Sequence, residues 1–386
     1  MEYYFNWETE VYCEKGAIEN VGNYLKENNV TKVFCVHGKS LARNGAKDRL
    51  LKSIKDAGIE YMCFDEIVPD PPVSLVNRVA AEAKAFGADG MIGIGGGSVM
   101  DTAKCANILL TNDGDSITDY VDRDEGADKK GKYLILIPTT FGTGSEVTAG
   151  GVVSLEDKCE KASVWGNNIA ADLAIIDPEL SYPLPPDLTA STGMDAFAHA
   201  LEAYMSKLAS PISDALAIYA IETIWNNLVK VVANGNDEKA RGSMCMAAVI
   251  AGGAFNNALV CQGHSLAHTM GANWHVPHGI ACALSLPFAI TENAPALREK
   301  MDKLCDIFKV KVNPEMTNEE VGQAVADAVA HYAKDIGIPS LGELKNVNAE
   351  DFHKIAEIFY EMPAKYVVYQ CEPSIERTIE YLKSIY

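Results

Sequence analysis

The first half of the chain alternates short apolar runs with segments of helical periodicity. The predicted strands are residues 31–37 (TKVFCVH), 61–64, 90–94 and 133–137. The predicted helices are residues 41–57, 74–86 and 99–110. Apolar runs of this length fit buried strands, and their alternation with helices predicts a mostly parallel sheet with helices on both faces.

In the second half the pattern becomes almost purely helical. The predicted helices there are residues 213–228, 237–252, 319–336 and 375–385. The sequence LPPD at 184–187 separates the two patterns, since proline interrupts helices and strands alike. We therefore predict an α/β domain over residues 1–184 and an all-helical domain over residues 185–386. We expect Ser191 or Thr192 to cap the first helix of that domain.

Composition and charge limit the classes of function. The chain has 386 residues, of which 48% are hydrophobic and 22% charged, as in a soluble protein of two domains. Its formal net charge of -20 argues against binding to nucleic acid or to an anionic membrane surface. The N-terminal segment MEYYFNWETE lacks the pattern of a signal peptide. No apolar run reaches the ~20 residues that a bilayer-spanning helix needs.

The ten cysteines stand singly, without a CxxC pair, and most have apolar neighbours. This usage is typical of buried, reduced thiols in a cytoplasmic protein rather than of a disulfide framework. On this basis we do not expect a cysteine to ligate a metal.

Two turns rich in glycine and hydroxyl groups follow predicted strands. The first, GGGS at 95–98, leads into a predicted helix, and the second is PTTFGTGSE at 138–146. Glycines allow a ligand to approach the backbone closely, and a helix N-terminus offers free N–H groups to a diphosphate. Two such turns at the carboxyl ends of parallel strands suit a dinucleotide. The first turn lacks the third glycine of GxGxxG, and such a turn can also serve close packing alone.

Four of the eight histidines lie within residues 263–279, GHSLAHTMGANWHVPHG. A dense group of imidazoles is typical of a metal site, whereas a single histidine more often only satisfies a helix end. Upstream, Asp195 and His199 stand four residues apart in a helical pattern, so both can reach one ion from the same face. The candidate metal ligands are Asp195, His199, His264 and His278. Together they offer three nitrogens and one oxygen, a set compatible with Fe(II), Zn or Ni.

Four motifs together resemble the iron-containing (group III) alcohol dehydrogenase family in order and spacing, over nearly the whole chain. They are GGGSVMD at 95–101, PTTFGTGSEVT at 138–148, DAFAHALEAYMS at 195–206 and HSLAHTMGANWHVPHG at 264–279. The resemblance implies a Rossmann-like, dinucleotide-binding α/β domain with a mostly parallel sheet, followed by an all-α metal-binding domain, in a dehydroquinate synthase-like architecture. That order agrees with the boundary predicted near residue 184.

The resemblance also implies roles for individual residues. The metal ligands would be Asp195, His199, His264 and His278. The cofactor diphosphate would be bound by Gly96, Gly97, Ser98 and Asp101 in the first turn and by Thr139, Thr140, Thr143 and Ser145 in the second. Lys161 and Leu180 would lie on the ribose and nicotinamide side of the cofactor. His268 would lie beside the nicotinamide and substrate, where it is the candidate catalytic residue for proton transfer.

Two positions depart from the family's pattern. NAD-preferring members often carry an acidic residue after the first strand, where this chain has Gly38. Lys39, Ser40 and Arg43 add basic or polar groups nearby. An aspartate there would bind the ribose of NAD and repel the 2′-phosphate of NADP, so we expect NADP or NAD to bind, with NADP favoured. The family's usual asparagine in a Pro-Asn-Pro turn is Asp70 here, which leaves that cofactor contact open.

These features predict a metal-dependent NAD(P)(H) oxidoreductase that interconverts a small primary alcohol and its aldehyde by hydride transfer, with the substrate oxygen held on a divalent metal, Fe(II) before Zn or Ni. Alternatives on the same scaffold are a polyol or hydroxyacid dehydrogenase, a transhydrogenase and non-redox dehydroquinate synthase chemistry. A metallohydrolase would have no use for two phosphate-binding turns, and a non-catalytic binding protein would not need the ligand set. We expect a cytoplasmic homodimer or higher homo-oligomer that binds neither nucleic acid nor membrane.

Overall fold

The structure, a computed structural model, describes residues 3–39, 41, 45–121, 123, 126–156 and 160–386. Ser40 and Arg43, two residues predicted to lie near the cofactor, fall outside the described residues. The chain divides into two compact units, one of Asn6–Leu184 and the other of Pro185–Tyr386 together with residues 3–5.

Six parallel strands form the sheet of the first unit. They are β1 (Glu10–Cys13), β2 (Lys32–His37), β3 (Glu60–Phe64), β4 (Gly90–Gly95), β5 (Tyr133–Pro138) and β8 (Leu173–Ile176). Two further strands, β6 (Gly150–Leu155) and β7 (Glu160–Trp165), pair antiparallel as a separate ribbon. The order across the sheet is β1-β8-β5-β4-β2-β3, and each neighbouring pair is parallel. The predicted fold class is confirmed, although the apolar pattern predicts only β2, β3, β4 and β5.

Helices cover the sheet of the first unit. Those in the described residues are α1 (Val21–Glu27), α2 (Ala46–Asp56), α3 (Val73–Phe86) and α4 (Gly97–Ile108). The helix predicted at 41–57 begins only at Ala46, because Gly45 before it has a left-handed φ of 73°. α4 packs against both β4 and β6 and is buried throughout residues 102–108. Its N-terminus follows β4 directly, which places it at the carboxyl edge of the sheet.

The second unit is built from helices. Those described are α5 (Pro186–Met205), α6 (Pro211–Ala233), α7 (Glu238–Ala258), α8 (Gln262–Trp274), α9 (His278–Asn293), α10 (Arg298–Phe308), α11 (Asn318–Asp335), α12 (Phe352–Tyr360) and α13 (Ile375–Ser384). α5 packs against α6, α7 and α9 and is buried on all sides over residues 193–205. The predicted cap at Ser191 or Thr192 is wrong, because α5 already begins at Pro186. Both hydroxyls donate instead to the carbonyl oxygen of Leu188, at 3.2 and 2.9 Å.

α6 is long and apolar enough by composition to cross a membrane, with a mean hydropathy of 1.2 over its most apolar window. The bent pair of α7 and α8 passes the same test if it is taken as one span. Asp214, Glu222 and Lys230 interrupt the apolar surface of α6. It packs against α5 and α7, as a helix of a bundle does.

Candidate metal centre and cofactor loops

Three helices of the second unit each carry two potential metal ligands four residues apart. The pairs are Asp195 and His199 on α5, His264 and His268 on α8, and His278 and Cys282 on α9. Residues at this spacing lie on one face of a helix, about one turn apart. α8 ends at Trp274, the next residue His275 has a left-handed φ of 54°, and α9 begins after Pro277. This sharp break brings the pairs of α8 and α9 to the same place.

Oδ1 of Asp195 is the atom on which these side chains converge. It lies 3.4 Å from Nε2 of His278, 3.8 Å from Nε2 of His264 and 4.0 Å from Nε2 of His199. Asp195 is 3% exposed, and this oxygen has no hydrogen-bond partner among the described residues. Burial raises the pKa of Asp195 to about 6, against the lowering effects of His264 and the Cys282 thiol. Because a buried oxygen without a partner is costly, this donor set fits a bound cation.

Glu202 orients His264 from the side away from this centre. It is fully buried on α5, and its Oε1 lies 2.6 Å from Nδ1 of His264. Its Oε2 accepts the backbone N–H groups of Cys261 and His264, at 2.8 and 3.1 Å. Burial alone would lower the pKa of His264, but Glu202 and then Asp195 outweigh it and raise that pKa. A proton on Nδ1 leaves Nε2 free for a metal. The sequence motifs did not single out Glu202, although its spacing of seven from Asp195 places it on the same face of α5.

Cys282 is a second residue at this centre that the sequence motifs did not single out. It is fully buried, and its Sγ lies 3.7 Å from Nε2 of His264 and 3.6 Å from Nε2 of His278. One donor atom from each of Asp195, His264, His278 and Cys282 lies within 4.8 Å of the other three. The structure therefore brings a thiol to a centre where the cysteine usage of the chain led us to expect none.

His199 and His268 flank this group of four. The ring of His199 stacks between those of Phe255 and His264, with centroids 4.2 and 4.5 Å away. The half-buried ring of His268 lies 5.3 Å from that of His278 and 6.1 Å from that of His264. The structure thus gathers the four predicted ligands and the predicted catalytic histidine in one place.

The two predicted phosphate-binding turns lie at the carboxyl edge of the sheet. Gly96 follows β4 and Thr139 follows β5, and these strands are neighbours. From β2 the chain passes outward to β3, whereas from β4 it passes in the other direction to β5. The strand order therefore reverses between β2 and β4. Ligands of open α/β sheets bind at such a reversal, outside the carboxyl ends of the strands.

The two turns pack directly against each other. A Cβ added to Gly96 would lie 3.3 Å from the side chain of Thr140, and one added to Gly97 would lie 2.8 Å from that of Thr143. The second distance is shorter than real Cβ contacts, so a glycine at position 97 is needed for this approach. The backbone at the start of α4 is left open to a ligand.

Asp101 and Lys104 of α4 hold the second turn in place. Oδ1 of Asp101 accepts the hydroxyl of Ser145 at 2.6 Å, and the ammonium group of Lys104 lies 3.4 Å from the same oxygen. Lys104 is fully buried and donates to the carbonyl oxygens of Ser145, at 2.8 Å, and of Gly150. Asp101 and Ser145, both predicted to contact the diphosphate, therefore bind each other.

Asp70 and Lys161 form an ion pair beside the first turn. Nζ of Lys161 lies 2.6 Å from Oδ1 of Asp70, and the backbone N–H of Asp70 donates to Oγ of Ser98 at 3.3 Å. Asp70 has a left-handed φ of 51°, a conformation that Asp and Asn tolerate better than most residues. The charge of Lys161, predicted to lie on the ribose and nicotinamide side, is therefore shared with Asp70.

Three further residues that were predicted to bind the cofactor lie at the same edge of the sheet, because each follows one of its parallel strands. Gly38 and the exposed Lys39 follow β2. Leu180 is buried in the 3-10 helix Pro178–Ser181, which follows β8. Because all six strands are parallel, the loops after β2, β4, β5 and β8 share one edge.

Two family models match the chain, one in each unit. The model described as iron-containing alcohol dehydrogenase matches residues 8–178. The model described as the C-terminal part of the Fe-containing alcohol dehydrogenase family matches residues 189–381.

Individual relatives are similar over most of their length. The NADPH-dependent butanol dehydrogenase of Clostridium saccharobutylicum is 36% identical over 92% of this chain and 90% of its own. The NAD-dependent methanol dehydrogenase of Bacillus methanolicus is 35% identical over 90% of each chain. The solved structure of an alcohol dehydrogenase from Oenococcus oeni matches with a TM-score of 0.93 and 32% identity over 100% of both chains. The chain therefore belongs to the iron-containing alcohol dehydrogenase family and is a metal-dependent NAD(P)(H) oxidoreductase that interconverts alcohols and aldehydes.

Proposed function

We propose that the substrate pair is a small primary alcohol and its aldehyde, and that the metal, Fe(II) before Zn or Ni, is held at the centre around Asp195. The proposed ligands are Asp195, His199, His264 and His278. The buried, unpartnered Oδ1 of Asp195, with three imidazole Nε2 atoms at 3.4 to 4.0 Å, supports this proposal most strongly. Carboxylate and imidazole groups are ligands that Fe(II) takes in protein sites that keep positions open for substrate.

A divalent metal held there supplies a Lewis acid, which polarises an aldehyde carbonyl and makes an alcohol easier to deprotonate. The contribution of the chain is to position these groups and to exclude water. Glu202 fixes the ring of His264 through Nδ1, and Phe255 stacks on His199. Asp195, His199 and His264 are each at most 5% exposed. Electrostatic interactions are strong in such a dry environment.

We assign the proton transfer to His268. Its ring is half-buried and lies beside that of His278, so it borders the proposed metal centre while still reaching solvent. A neutral imidazole accepts a proton at one ring nitrogen while the other can donate, which suits a path between the substrate oxygen and water.

We also propose that the two turns bind the cofactor diphosphate and that NADP(H) is preferred over NAD(H). α4 begins at Gly97, so its free N–H groups and the positive end of its dipole stand at the sheet edge. Gly38 offers no carboxylate to a ribose, and the exposed Lys39 follows it, which favours a 2′-phosphate. The relatives include an NAD-dependent and an NADPH-dependent enzyme. The proposed preference for NADP(H) therefore rests on the residues that follow β2.

Turnover of butyraldehyde tests both proposals. The protein is reloaded anaerobically with Fe(II) or Zn, and the loss of NADPH and of NADH is followed separately. We expect faster loss of NADPH, and none after a chelator is added. Faster loss of NADH would contradict the cofactor preference alone. Turnover of polyols or hydroxyacids in place of butyraldehyde would replace the proposed substrate class.

The variant Gly38→Asp tests the cofactor preference within the same fold. The added carboxylate should bind a free ribose and repel a 2′-phosphate, so the NADPH to NADH ratio of kcat/KM should fall by about 10-fold or more. The matched control is Gly242→Asp on α7, where nothing lies within 4 Å of an added Cβ. An unchanged ratio in Gly38→Asp would remove the argument from the loop after β2.

We further propose a cytoplasmic homo-oligomer. Ile212 and Tyr219 stand seven residues apart on one face of α6 and are 51% and 55% exposed. Neighbouring exposed apolar side chains favour contact with another copy. The nine cysteines in the described part of the chain are free thiols, as a reducing compartment requires. Light scattering should give a mass above the 41.7 kDa of one chain; a monomer at micromolar concentration would contradict the assembly.

A further inference from the structure

Cys35 and Cys63 lie directly opposite each other in the parallel sheet of the first unit. Cys35 is on β2 and Cys63 on β3, and the two residues are partners in the register of these neighbouring strands. β3 is the last strand of the sheet, so Cys63 lies at its edge. We propose that these two cysteines form an oxidation site, at which hydrogen peroxide converts the two thiols into a reversible disulfide between β2 and β3.

The backbone holds the two residues at a distance that a disulfide can span. Neighbouring strands of a sheet lie about 4.8 Å apart, and the Cα atoms of a disulfide are usually about 4.4 to 6.8 Å apart. Residues paired directly across two parallel strands also point to the same face of the sheet. The thiol of Cys35 donates a hydrogen bond to the sulfur of Cys63. The bond can therefore close without a change of register between the strands.

The surroundings of the pair make Cys63 the more reactive thiol. The hydrogen bond from Cys35 lowers the pKa of the Cys63 thiol, against partial burial, which raises it. His37 and then Lys47 lower this pKa further. The same hydrogen bond, together with complete burial, raises the pKa of the Cys35 thiol well above its ordinary value. Because peroxide oxidises the thiolate, the half-buried Cys63 reacts first and the buried Cys35 then closes the disulfide.

The imidazole of His37 lies on the same face of β2 as the thiol of Cys35. The two residues are separated by two positions, and alternate residues of a strand share a face. His37 is 2% exposed, its Nδ1 lies 3.1 Å from the carbonyl oxygen of Gly38, and its Nε2 has no hydrogen-bond partner among the described residues. A buried imidazole nitrogen without a partner is costly, and a neighbouring thiolate offsets that cost. The burial of His37 is thus a second indication that this face accommodates an anionic sulfur.

The oxidation takes place in two steps. The Cys63 thiolate attacks one oxygen of hydrogen peroxide, the O–O bond breaks, and the hydroxide that leaves takes a proton from solvent to become water; the product is a sulfenic acid. The sulfur of Cys35 then attacks that of Cys63, the S–O bond breaks, and the leaving hydroxide takes the Cys35 proton to become a second water. The two thiols lose two electrons and the peroxide gains them. A dithiol reductant reverses the bond by exchange, as suits a transient disulfide in a reducing compartment.

The pair lies next to the loop that is proposed to bind the cofactor ribose. β2 ends at His37, two residues after Cys35, and Gly38 follows directly. An S–S bond is about 2.0 Å long, shorter than a hydrogen bond between the same sulfurs, so closing it draws β2 and β3 together and shifts the start of this loop. We expect the oxidised protein to bind NADPH about 5-fold or more weakly than the reduced protein. This effect rests on the proposed function, whereas the oxidation itself does not.

Peroxide treatment of the full-length protein tests the site. The protein is loaded with Zn(II), which has no redox chemistry of its own, and is exposed to hydrogen peroxide at about pH 7. Remaining thiols are blocked with iodoacetamide, and the protein is digested without reduction. We expect a pair of peptides joined through Cys35 and Cys63, about two mass units lighter than the separate peptides together. Dithiothreitol should separate them. NADPH binding, followed by its fluorescence, should weaken on oxidation and recover on reduction.

Two single variants separate the steps. In Cys35→Ser the serine hydroxyl can still donate to Cys63, but no second thiol is present to close the bond. The sulfenic acid of Cys63 should therefore persist and react with dimedone. Cys63→Ser should give neither a sulfenic acid nor a disulfide at this pair. NADPH affinity should be independent of peroxide in Cys63→Ser.

Cys13→Ser is the matched control. Cys13 is more exposed than Cys63, but its partner in register on β8 is Ile176. Burial and then Asp177 raise the pKa of Cys13, so this residue stays a thiol. Its variant should form the same disulfide as the parent. In the reduced parent, iodoacetamide should label Cys63 about 10-fold or more faster than Cys13, in spite of the greater exposure of Cys13.

The outcomes separate the oxidation site from the proposed function. A parent protein in which peroxide leaves both thiols free, or stops at a sulfenic acid, would overturn the site. Labelling of Cys63 no faster than that of Cys13 would overturn its assignment as the attacking thiol. A disulfide that leaves NADPH affinity unchanged would overturn the link to the loop after β2. If the reduced protein binds no NADPH but still forms the disulfide, the proposed cofactor fails and the oxidation site is supported.

Discussion

Each unit of the protein buries a carboxylate with one oxygen that lacks a hydrogen-bond partner among the described residues, and the two have different surroundings. Asp195 lies on α5 and Glu146 in the 3-10 helix Ser145–Val147. Burial raises both pKa values, to about 6 for Asp195 and about 7 for Glu146. Oδ1 of Asp195 faces imidazole nitrogens, whereas the charged group that acts on Glu146 is Lys104, whose ammonium binds backbone carbonyls. Burial of a carboxylate does not by itself make a site; convergence of donors does.

The proposed metal centre and the proposed cofactor-binding turns also differ in the groups from which they are built. The proposed metal centre is built from side chains on three helices, so a substitution there changes its chemistry. The proposed cofactor-binding turns rely largely on backbone, and Gly97 allows the two turns to approach each other. A substitution in these turns therefore changes the shape of the binding surface rather than its chemistry. Loss of metal and loss of cofactor binding should therefore be separable by mutation.

Replacement of the central carboxylate should have the largest effect. Asp195→Asn keeps the shape but removes the charge that faces the metal, so bound metal should fall to near zero and kcat/KM by about 1,000-fold or more. Metal analysis after gel filtration and turnover with NADPH measure both. The metal-free variant should be at least as stable as the metal-free parent, since it no longer buries that charge. Full metal content in Asp195→Asn would place the ion elsewhere.

A smaller loss is expected when the orienting carboxylate is neutralised. Glu202→Gln can still accept hydrogen bonds but makes Nε2 of His264 a weaker base, so metal affinity should fall about 10- to 100-fold. Competition with a chromogenic chelator measures this affinity. Glu222→Gln on α6, at a half-exposed carboxylate, is the control and should bind metal as the parent does. Equal affinities in the two variants would reduce Glu202 to a packing role.

Substitution in the first turn should affect the cofactor and spare the metal. Gly97→Ala places a Cβ 2.8 Å from Thr143 and pushes the two turns apart, a strain of about 1 to 3 kcal/mol. The KM for NADPH should rise by about 10-fold while metal content stays unchanged. Gly242→Ala on α7, with nothing within 4 Å of the added atom, should leave both unchanged. Metal loss in Gly97→Ala would contradict the separation of the two sites.

The sequence predicts those parts of the molecule that have a long apolar run or a dense group of functional residues. Parallel strands buried on both faces read as continuous apolar runs, as in 90–94 and 133–137, and the two-unit order followed from them. β1 and β8 have only four residues each, too few to show a period. α5 is buried on all sides over residues 193–205, so it lacks the amphipathic stripe by which a surface helix is recognised in a sequence.

At the proposed metal centre, too, the sequence predicts the residues of dense motifs but misses single residues outside them. Motif letters identify Asp195 and the histidines, but Glu202 acts through another side chain and has no motif of its own. Cys282 could have been found, because it follows His278 at the spacing of four that pairs Asp195 with His199. Composition argued against a thiol at this centre because it averages over all ten cysteines, whereas the position of Cys282 is fixed by its place on α9.

The smallest expected effect is a pH dependence of stability, which should distinguish the buried carboxylate of Glu146 from that of Asp195. Burial holds the pKa of Glu146 at about 7, above its ordinary 4.5. Because the folded state binds this proton more tightly than the unfolded state, parent stability falls as pH rises from about 4.5 to about 7 and is constant above that. Glu146→Gln has no such proton to lose. Its stability relative to the parent should therefore rise over that window, by on the order of 1 to 3 kcal/mol, and then level off.

Thermal unfolding of the metal-free proteins between about pH 5.5 and about pH 8 measures this difference and avoids the isoelectric point near 4.8. The gap between the unfolding temperatures should widen by a few degrees toward pH 7 and then stay constant. Glu82→Gln, at a half-exposed position of α3, should show no such change. A gap independent of pH would mean that Lys104 keeps Glu146 ionised throughout. Metal content should be normal in Glu146→Gln, because no imidazole in the described part of the chain converges on that carboxylate as three do on Asp195.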